Sequence, residues 1–214
     1  MYQVREALLP VSNGMKYLIG IDEAGRGPLA GPVSVGAVIV ERDFDFARVA
    51  GIKDSKMLTA AARDEWYERL ETLREEGSLR FAVGFSSAKV IDKRGIVPAI
   101  FSALKRALVQ LKANPGECEV RLDGSLKAPA AFIRQTTIIR GDQTEPIISL
   151  AAIAAKVERD RLMMRLARKY PEYGFEQHKG YPTRAHRDAV RLRGVSEIHR
   201  VSYCQTLLSG LNTV

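Results

Sequence analysis

Cysteine is scarce in this 214-residue sequence: Cys118 and Cys204 are the only two, and they stand far apart, without metal-ligand spacing. A disulfide framework and a zinc site are both unsupported, and a reducing compartment, the cytoplasm, is the expected location. Long apolar runs are missing as well. No segment approaches the roughly 20 apolar residues of a membrane span, and residues 1–15 mix acidic and basic positions without the apolar core of a signal peptide. No membrane partner is expected. Internal repeats, low-complexity tracts and linkers are also absent, which predicts one domain over 1–214, with about 170–214 forming a C-terminal helical and loop portion. Acids fall short of bases, 25 against 33, for a formal charge of +8. That balance favours a polyanionic partner such as nucleic acid. No Gly-Lys-Ser/Thr follows the glycines, so a phosphate-loop NTPase is excluded.

What is present begins with Tyr17-Leu-Ile-Gly-Ile-Asp-Glu-Ala-Gly-Arg-Gly-Pro-Leu-Ala-Gly-Pro32. Tyr17 to Ile21 is a short apolar run of β-formers and reads as a buried central strand. Asp22 and Glu23 set two carboxylates at its end, where a divalent cation is the commonest partner that offsets their desolvation. Neighbours on a regular strand point to opposite faces, so both acids reach one metal site only if the strand ends between them. Gly25-Arg26-Gly27 looks like a backbone loop that sits close to a ligand, with one guanidinium between bare amides. Alone, an Asp-Glu pair at a strand end is more often simply solvated.

Val33 to Val40 is a second β-rich run, placed to pair antiparallel with the first. Lys53-Asp-Ser-Lys-Met-Leu-Thr59 is a polar loop whose Thr59 can cap a helix carrying apolar Ala60, Ala61, Trp66, Leu70 and Leu73. Ser55 between Lys53 and Lys56 suits a phosphate, although a basic capped turn is the simpler local reading. Leu79 to Ser86 alternates like a strand, and Val97 to Leu111 has apolar residues at helical spacing. Cys118 to Leu122 is a further strand and runs into Asp123-Gly124. Phe132 to Arg140 is another, running into Gly141-Asp142. Pro146 then opens the longest helix, to about Lys169, with a small and apolar first half. Asp160 lies four residues after Lys156, which favours a helix-face ion pair over metal ligation. The loop from Tyr170 to Thr183, containing Lys179 and Tyr181, interleaves aromatic and basic residues in a way that suits stacking on sugars or bases. A packed loop is the plainer reading. A short helix follows Thr183.

Three acidic sites, Asp22-Glu23, Asp123 and Asp142, thus follow predicted strands and converge if those strands share a sheet. Four carboxylates so gathered repel one another unless metal offsets their charge. Oxygen-only ligands point to Mg²⁺ or Mn²⁺ rather than zinc. Two such ions about 4 Å apart are the usual apparatus for cleaving a phosphodiester. Another nuclease with the same acids, such as a junction resolvase, and a non-catalytic nucleic-acid-binding module are the competing readings.

The string Ile-Asp-Glu-Ala-Gly-Arg-Gly-Pro28 resembles the signature that opens the ribonuclease HII family. Further matches are Lys53-Asp-Ser-Lys-Met-Leu58, Leu122-Asp-Gly124, Gly141-Asp142, Ile153-Ala-Ala-Lys-Val-Glu-Arg-Asp160, His178-Lys-Gly-Tyr-Pro-Thr183 and His199-Arg-Val-Ser202, so the resemblance covers Tyr17 to about Tyr203. It implies a ribonuclease H-like α/β fold, with a mixed central sheet flanked by helices and a helical C-terminal portion. It implies metal-binding acids at Asp22, Glu23, Asp123 and Asp142 for two Mg²⁺ or Mn²⁺ ions. A loop sensing the ribose 2′-hydroxyl falls on Gly25, Arg26 and Gly27, a sugar-contacting tyrosine on Tyr181, and phosphate-holding residues on Lys53, Ser55 and Lys56; apart from the resemblance, Lys179 in its basic loop is also expected to contact phosphate. The implied substrates are RNA–DNA hybrids and duplex DNA containing single ribonucleotides; a monomer is the expected state. The chain departs from the family where Ser-Ala-Ala-Ser-Ile becomes Ser149-Leu-Ala-Ala-Ile153, and where Lys53 replaces a familiar Asn.

Overall fold

The computed structural model describes residues 14–52 and 57–209, so the expected phosphate contacts at Lys53, Ser55 and Lys56 lie outside the described residues. The opening run forms β1 (Tyr17–Ala24) and the next forms β2 (Val33–Glu41), paired antiparallel with Ile19 opposite Ile39. Thr59 caps α1 (Ala60–Glu75) by accepting a hydrogen bond from the Ala62 amide. The buried side chains of that helix are Tyr67, Leu70 and Leu73. Tyr67 takes the inward position expected of Trp66, which is only partly buried.

After α1 come β3 (Leu79–Ser86), α2 (Ala88–Arg94) and α3 (Ile96–Gln110), followed by β4 (Cys118–Asp123) and β5 (Gln135–Ile138). The sheet order is β3-β2-β1-β4-β5. β4 runs parallel to β1 and β5 parallel to β4, while β2 is antiparallel to both of its neighbours, so the sheet is mixed, as the resemblance implies. The remaining elements are α4 (Gly141–Thr144), α5 (Pro146–Lys169), α6 (Phe175–His178), α7 (Arg184–Arg193) and α8 (Val201–Leu208). Among the described residues no helix is long and apolar enough to cross a membrane.

Strand alternation divides the apolar residues between two faces. Ile19, Ile21, Val35 and Ala37 pack with Ile100, Leu104 and Leu108 of α3. Leu18 and Val38 pack on the other face with α1 and with Ile147, Leu150 and Ile153 of α5. The run from Ile147 to Ala155 is buried throughout because α5 lies directly on the sheet, and Gly36 permits that approach: a Cβ there would collide with the Ala151 carbonyl. Leu150 is therefore a core residue, fully buried in this second cluster. A third cluster joins Leu29 and Ala30 to Met163, Ala167, Tyr173, Phe175, Val190 and Cys204, seating the C-terminal helices against the segment that follows β1.

Three boundaries differ from expectation. β5 covers only Gln135–Ile138, because Ile133 and Ile139 are 80% and 83% exposed and lend the strand no buried face. β1 continues to Ala24, still paired with β2, and does not end between Asp22 and Glu23. The segment 170–183 contains a short 3-10 turn, Pro171–Tyr173, and α6.

Candidate active site

The parallel pairing of β1 with β4 carries Ile21 opposite Leu122, so Asp22 and Asp123 follow on adjacent strands at the same sheet end. Asp142 arrives differently. Arg140 adopts the left-handed conformation (φ 55°) and turns the chain, and Asp142 sits in the first turn of α4. The turn is held against β4 because Asp123 Oδ1 accepts the Gly141 amide at 2.7 Å. It is held against α5 because the Ser149 hydroxyl donates to the Asp142 carbonyl at 2.8 Å. One carboxylate oxygen from each of Asp22, Asp123 and Asp142 then lies within 4.8 Å of the other two.

Asp22 and Asp142 are 4% and 2% exposed. Burial holds the Asp22 carboxyl well above the usual carboxylate range, and the charges of Glu23, Asp123 and Asp142 push it further; the Glu23 amide, donating to Oδ1 at 2.7 Å, offsets this only in part. Hard oxygen donors drawn together against their own repulsion are the donor set of Mg²⁺ or Mn²⁺, and the cluster fits such an ion. Glu23 is not part of this trio. It pairs with Arg26 at 3.3 Å and lines the same cavity as Asp22 and Asp123.

A cavity of about 300 Å³ is lined by Asp22, Glu23, Ala24, Gly25, Arg26, Gly27, Asp123, Lys156 and Tyr181. It brings together most of the residues singled out in the sequence. Gly25 has φ 88°, and a Cβ there would strike the Arg159 side chain, so both conformation and space require glycine. Lys156 bonds Asp160 at 2.9 Å, the expected ion pair, and its ammonium stands 5.1 Å from the centre of the Tyr181 ring. Lys179 does not line this cavity: it sits in a neighbouring depression beside Asp160 and Arg161, and its ammonium donates to the Glu176 carbonyl. A larger hollow of about 560 Å³ behind the loop, lined by Phe85, Val90, Arg106, Leu166 and Glu197 among others, contains none of the three aspartates.

Two groups of supporting residues, most of them within the matched motifs, are given no role by the sequence alone. Arg159 and Arg200 are fully buried, and both donate to carbonyls of the segment between β1 and β2. His178, His186 and His199 form a buried relay below Tyr181. Ser196 donates to His199 Nδ1 at 2.9 Å, leaving His199 Nε2–H to donate to His186 Nε2 at 3.0 Å. His186 Nδ1–H then donates to the Tyr181 carbonyl at 2.9 Å, and His178 Nδ1 accepts the Gly180 amide at 3.2 Å. Every step needs neutral rings, and burial pushes the pKa of His186 and of His199 down to about 4.

This geometry has relatives. Residues 19–206 match the family model for ribonuclease HII. A ribonuclease HII of Caldicellulosiruptor bescii is 39% identical over 97% of this chain and 95% of its own length. One from Bacillus mycoides is 43% identical over 89% of this chain and 70% of its own. Among solved structures, the ribonuclease HII of an Archaeoglobus fulgidus complex with PCNA superposes with a TM-score of 0.70 at 25% identity, covering 92% of this chain and 97% of that one. Ribonuclease H2 of Pyrococcus horikoshii gives 0.69 at 24%, over 92% and 100%, a likeness of fold. The match runs from β1 into α8 and takes in all three clustered aspartates, so the chain belongs to the ribonuclease HII family, with the ribonuclease H-like fold and the activity of a ribonuclease H.

Proposed function

We propose that the protein is an endonuclease that hydrolyses the RNA strand of RNA–DNA hybrids and cuts on the 5′ side of single ribonucleotides embedded in duplex DNA, leaving 3′-hydroxyl and 5′-phosphate ends. The observation that carries this reading is the cavity that joins the aspartate cluster to Gly25-Arg26-Gly27 and Tyr181. In the cell such an enzyme removes misincorporated ribonucleotides and RNA primers, and we assign it to the cytoplasm, acting as a monomeric single catalytic domain.

Asp22, Asp123 and Asp142 would hold divalent cations, Mg²⁺ or Mn²⁺, with Glu23 contributing from the adjacent position. Two bound ions supply activation of water and stabilisation of the leaving 3′ oxygen. The remaining work belongs to the chain. Gly25 and Gly27 let backbone approach a ribose closely, where the 2′-hydroxyl both donates and accepts a hydrogen bond and so distinguishes RNA from DNA. Arg26, exposed at the cavity rim, holds the neighbouring phosphate in place of its present partner Glu23. Tyr181, flanked by the Lys156 ammonium and, 5.4 Å from its centre, the Arg159 guanidinium, offers a ring for the following sugar. A deoxyribose packs there without an extra hydroxyl.

The test is a labelled duplex containing one ribonucleotide, incubated with the protein and each metal in turn. One cut on the 5′ side of the ribonucleotide is expected. Cleavage of long hybrids with no cut at a lone ribonucleotide would overturn the proposed substrate choice.

A further inference from the structure

Arg159 and Arg200 are the largest fully buried side chains of the protein. Among the described residues, the only ion pair within 4 Å of either guanidinium is Asp160 Oδ1, 3.9 Å from Arg159 Nη1. Two cations withdrawn from water are costly unless something specific repays them. Here the repayment comes from backbone. Arg200 donates from Nη2 to the Gly25 carbonyl at 2.6 Å, from Nη1 to the Arg26 carbonyl at 2.8 Å and from Nε to the Gly31 carbonyl at 3.1 Å. Arg159 donates to the carbonyls of Pro32 at 2.9 Å, Lys179 at 3.0 Å and Ala30 at 3.2 Å. The two rigid forks thus engage five carbonyls of the segment 25–32 and one beside Tyr181.

In a trans peptide the carbonyl and the following amide point in opposite directions, and no cis peptide bond occurs among the described residues. Drawing the Gly25 and Arg26 carbonyls onto Arg200 therefore turns the Arg26 and Gly27 amides away from it. We propose that Arg200, supported by Arg159, is a positioning residue that fixes the Gly25–Gly27 peptides so that two successive amides face the ligand, and that this arrangement sets the preference for a ribonucleotide. The proposal rests on the reading of Gly25–Gly27 as the ribose-sensing loop. A lysine at position 200 keeps the charge but cannot donate to three carbonyls in a fixed fork, so it separates positioning from charge.

Binding without turnover is measured in the Asp123→Asn protein, using a duplex with one ribonucleotide and the matched all-DNA duplex. The parent should favour the ribonucleotide duplex by about tenfold, the scale of hydrogen bonds lost when one hydroxyl is removed. Adding Arg200→Lys should bring the ratio to within about twofold of unity while all-DNA affinity is kept, because phosphate contacts dominate it. A folded Arg200→Lys protein that retains the full ratio overturns the proposal. If the parent shows no preference, the failure belongs to the ribose-sensing reading and appears before any arginine is touched. Should the lysine variant not fold, amide exchange in the parent decides: the Arg26 and Gly27 amides should be protected by the ribonucleotide duplex and not by the all-DNA duplex. Equal protection by both, or by neither, contradicts the proposal.

Discussion

Replacing Asp22 with Asn should stabilise the metal-free protein while abolishing its activity. Asp22 is buried, and its carboxylate lies within 4.8 Å of oxygens from Asp123 and Asp142. The repulsion between two unit charges at that distance is about 0.9 kcal/mol at the dielectric of water and about 3.5 kcal/mol at an effective value of 20. Asp123 is only partly buried, which favours the lower part of that range. Asn keeps the acceptor for the Glu23 amide and removes the charge, so the metal-free variant should gain about 1–3 kcal/mol, or roughly 3–10 °C in Tm for a chain of this size. The sign follows from linkage: a carboxyl whose folded pKa is raised costs the fold stability as pH climbs from its unfolded value up through its folded one, and Asn, which does not titrate, escapes that loss. Mg²⁺ should reverse the order by stabilising the wild type more than the variant. The assay is thermal unfolding in chelator and in Mg²⁺, beside cleavage, which should fall about a thousandfold. A variant less stable than wild type in chelator would refute the picture of mutually repelling ligands.

Asp123→Asn and Asp142→Asn should each lose cleavage by about a thousandfold, whereas Asp160→Asn, removing only the partner of Lys156, should lose less than about tenfold; equal collapse would show that Asp160 is a ligand. Tyr181→Ala should cost more on a single-ribonucleotide duplex than on a continuous hybrid, and equal losses would deny the ring its role at the following sugar. His186 and His199, each neutral in the fold with pKa about 4 against 6.5 unfolded, contribute stability that is present above pH 6.5 and lost as pH falls toward 4. Thermal unfolding that stayed flat from pH 7 to 4 would contradict the relay. Gly36→Ala should destabilise by about 3 kcal/mol, because the obstacle is Ala151 backbone and cannot give way by rotamer change; a neutral effect in chemical denaturation would mean that α5 can lift from the sheet.

The parts legible in the sequence were those fixed by local contrast. Apolar Tyr17–Ile21 breaking into Asp22-Glu23, and the proline that opens α5 at 146, each mark an element by neighbours a few positions away. β5 was harder because Ile133 and Ile139 continue the β-like run in sequence yet face solvent. Glu23 shows where alternation alone falls short: β1 continues past it with β2 as its partner, yet Glu23 lines the cavity beside Asp22 while standing outside the trio of aspartates. Arg159 and Arg200 stand in matched motifs, but their role was not legible, because what makes a buried arginine tolerable is a set of carbonyls mostly 127 to 175 positions distant, a tertiary fact with no local pattern. The histidines are similar: His178 and His199 open matched motifs, but their link through His186 exists only once α6, α7 and the segment before α8 fold onto one another.

The most direct test of the account is single-turnover cleavage of three duplexes identical except at one sugar: ribose, deoxyribose and 2′-methoxyribose. Hydrolysis by the aspartate cluster, licensed by backbone contact with one 2′-hydroxyl, predicts a single cut 5′ of the ribose with a 3′-hydroxyl on one product, and no measurable cut in the other two. Cleavage of the 2′-methoxy duplex at a rate close to that of the ribose would contradict the account, because that sugar has no hydroxyl proton to donate and adds bulk where the glycine loop should fit closely.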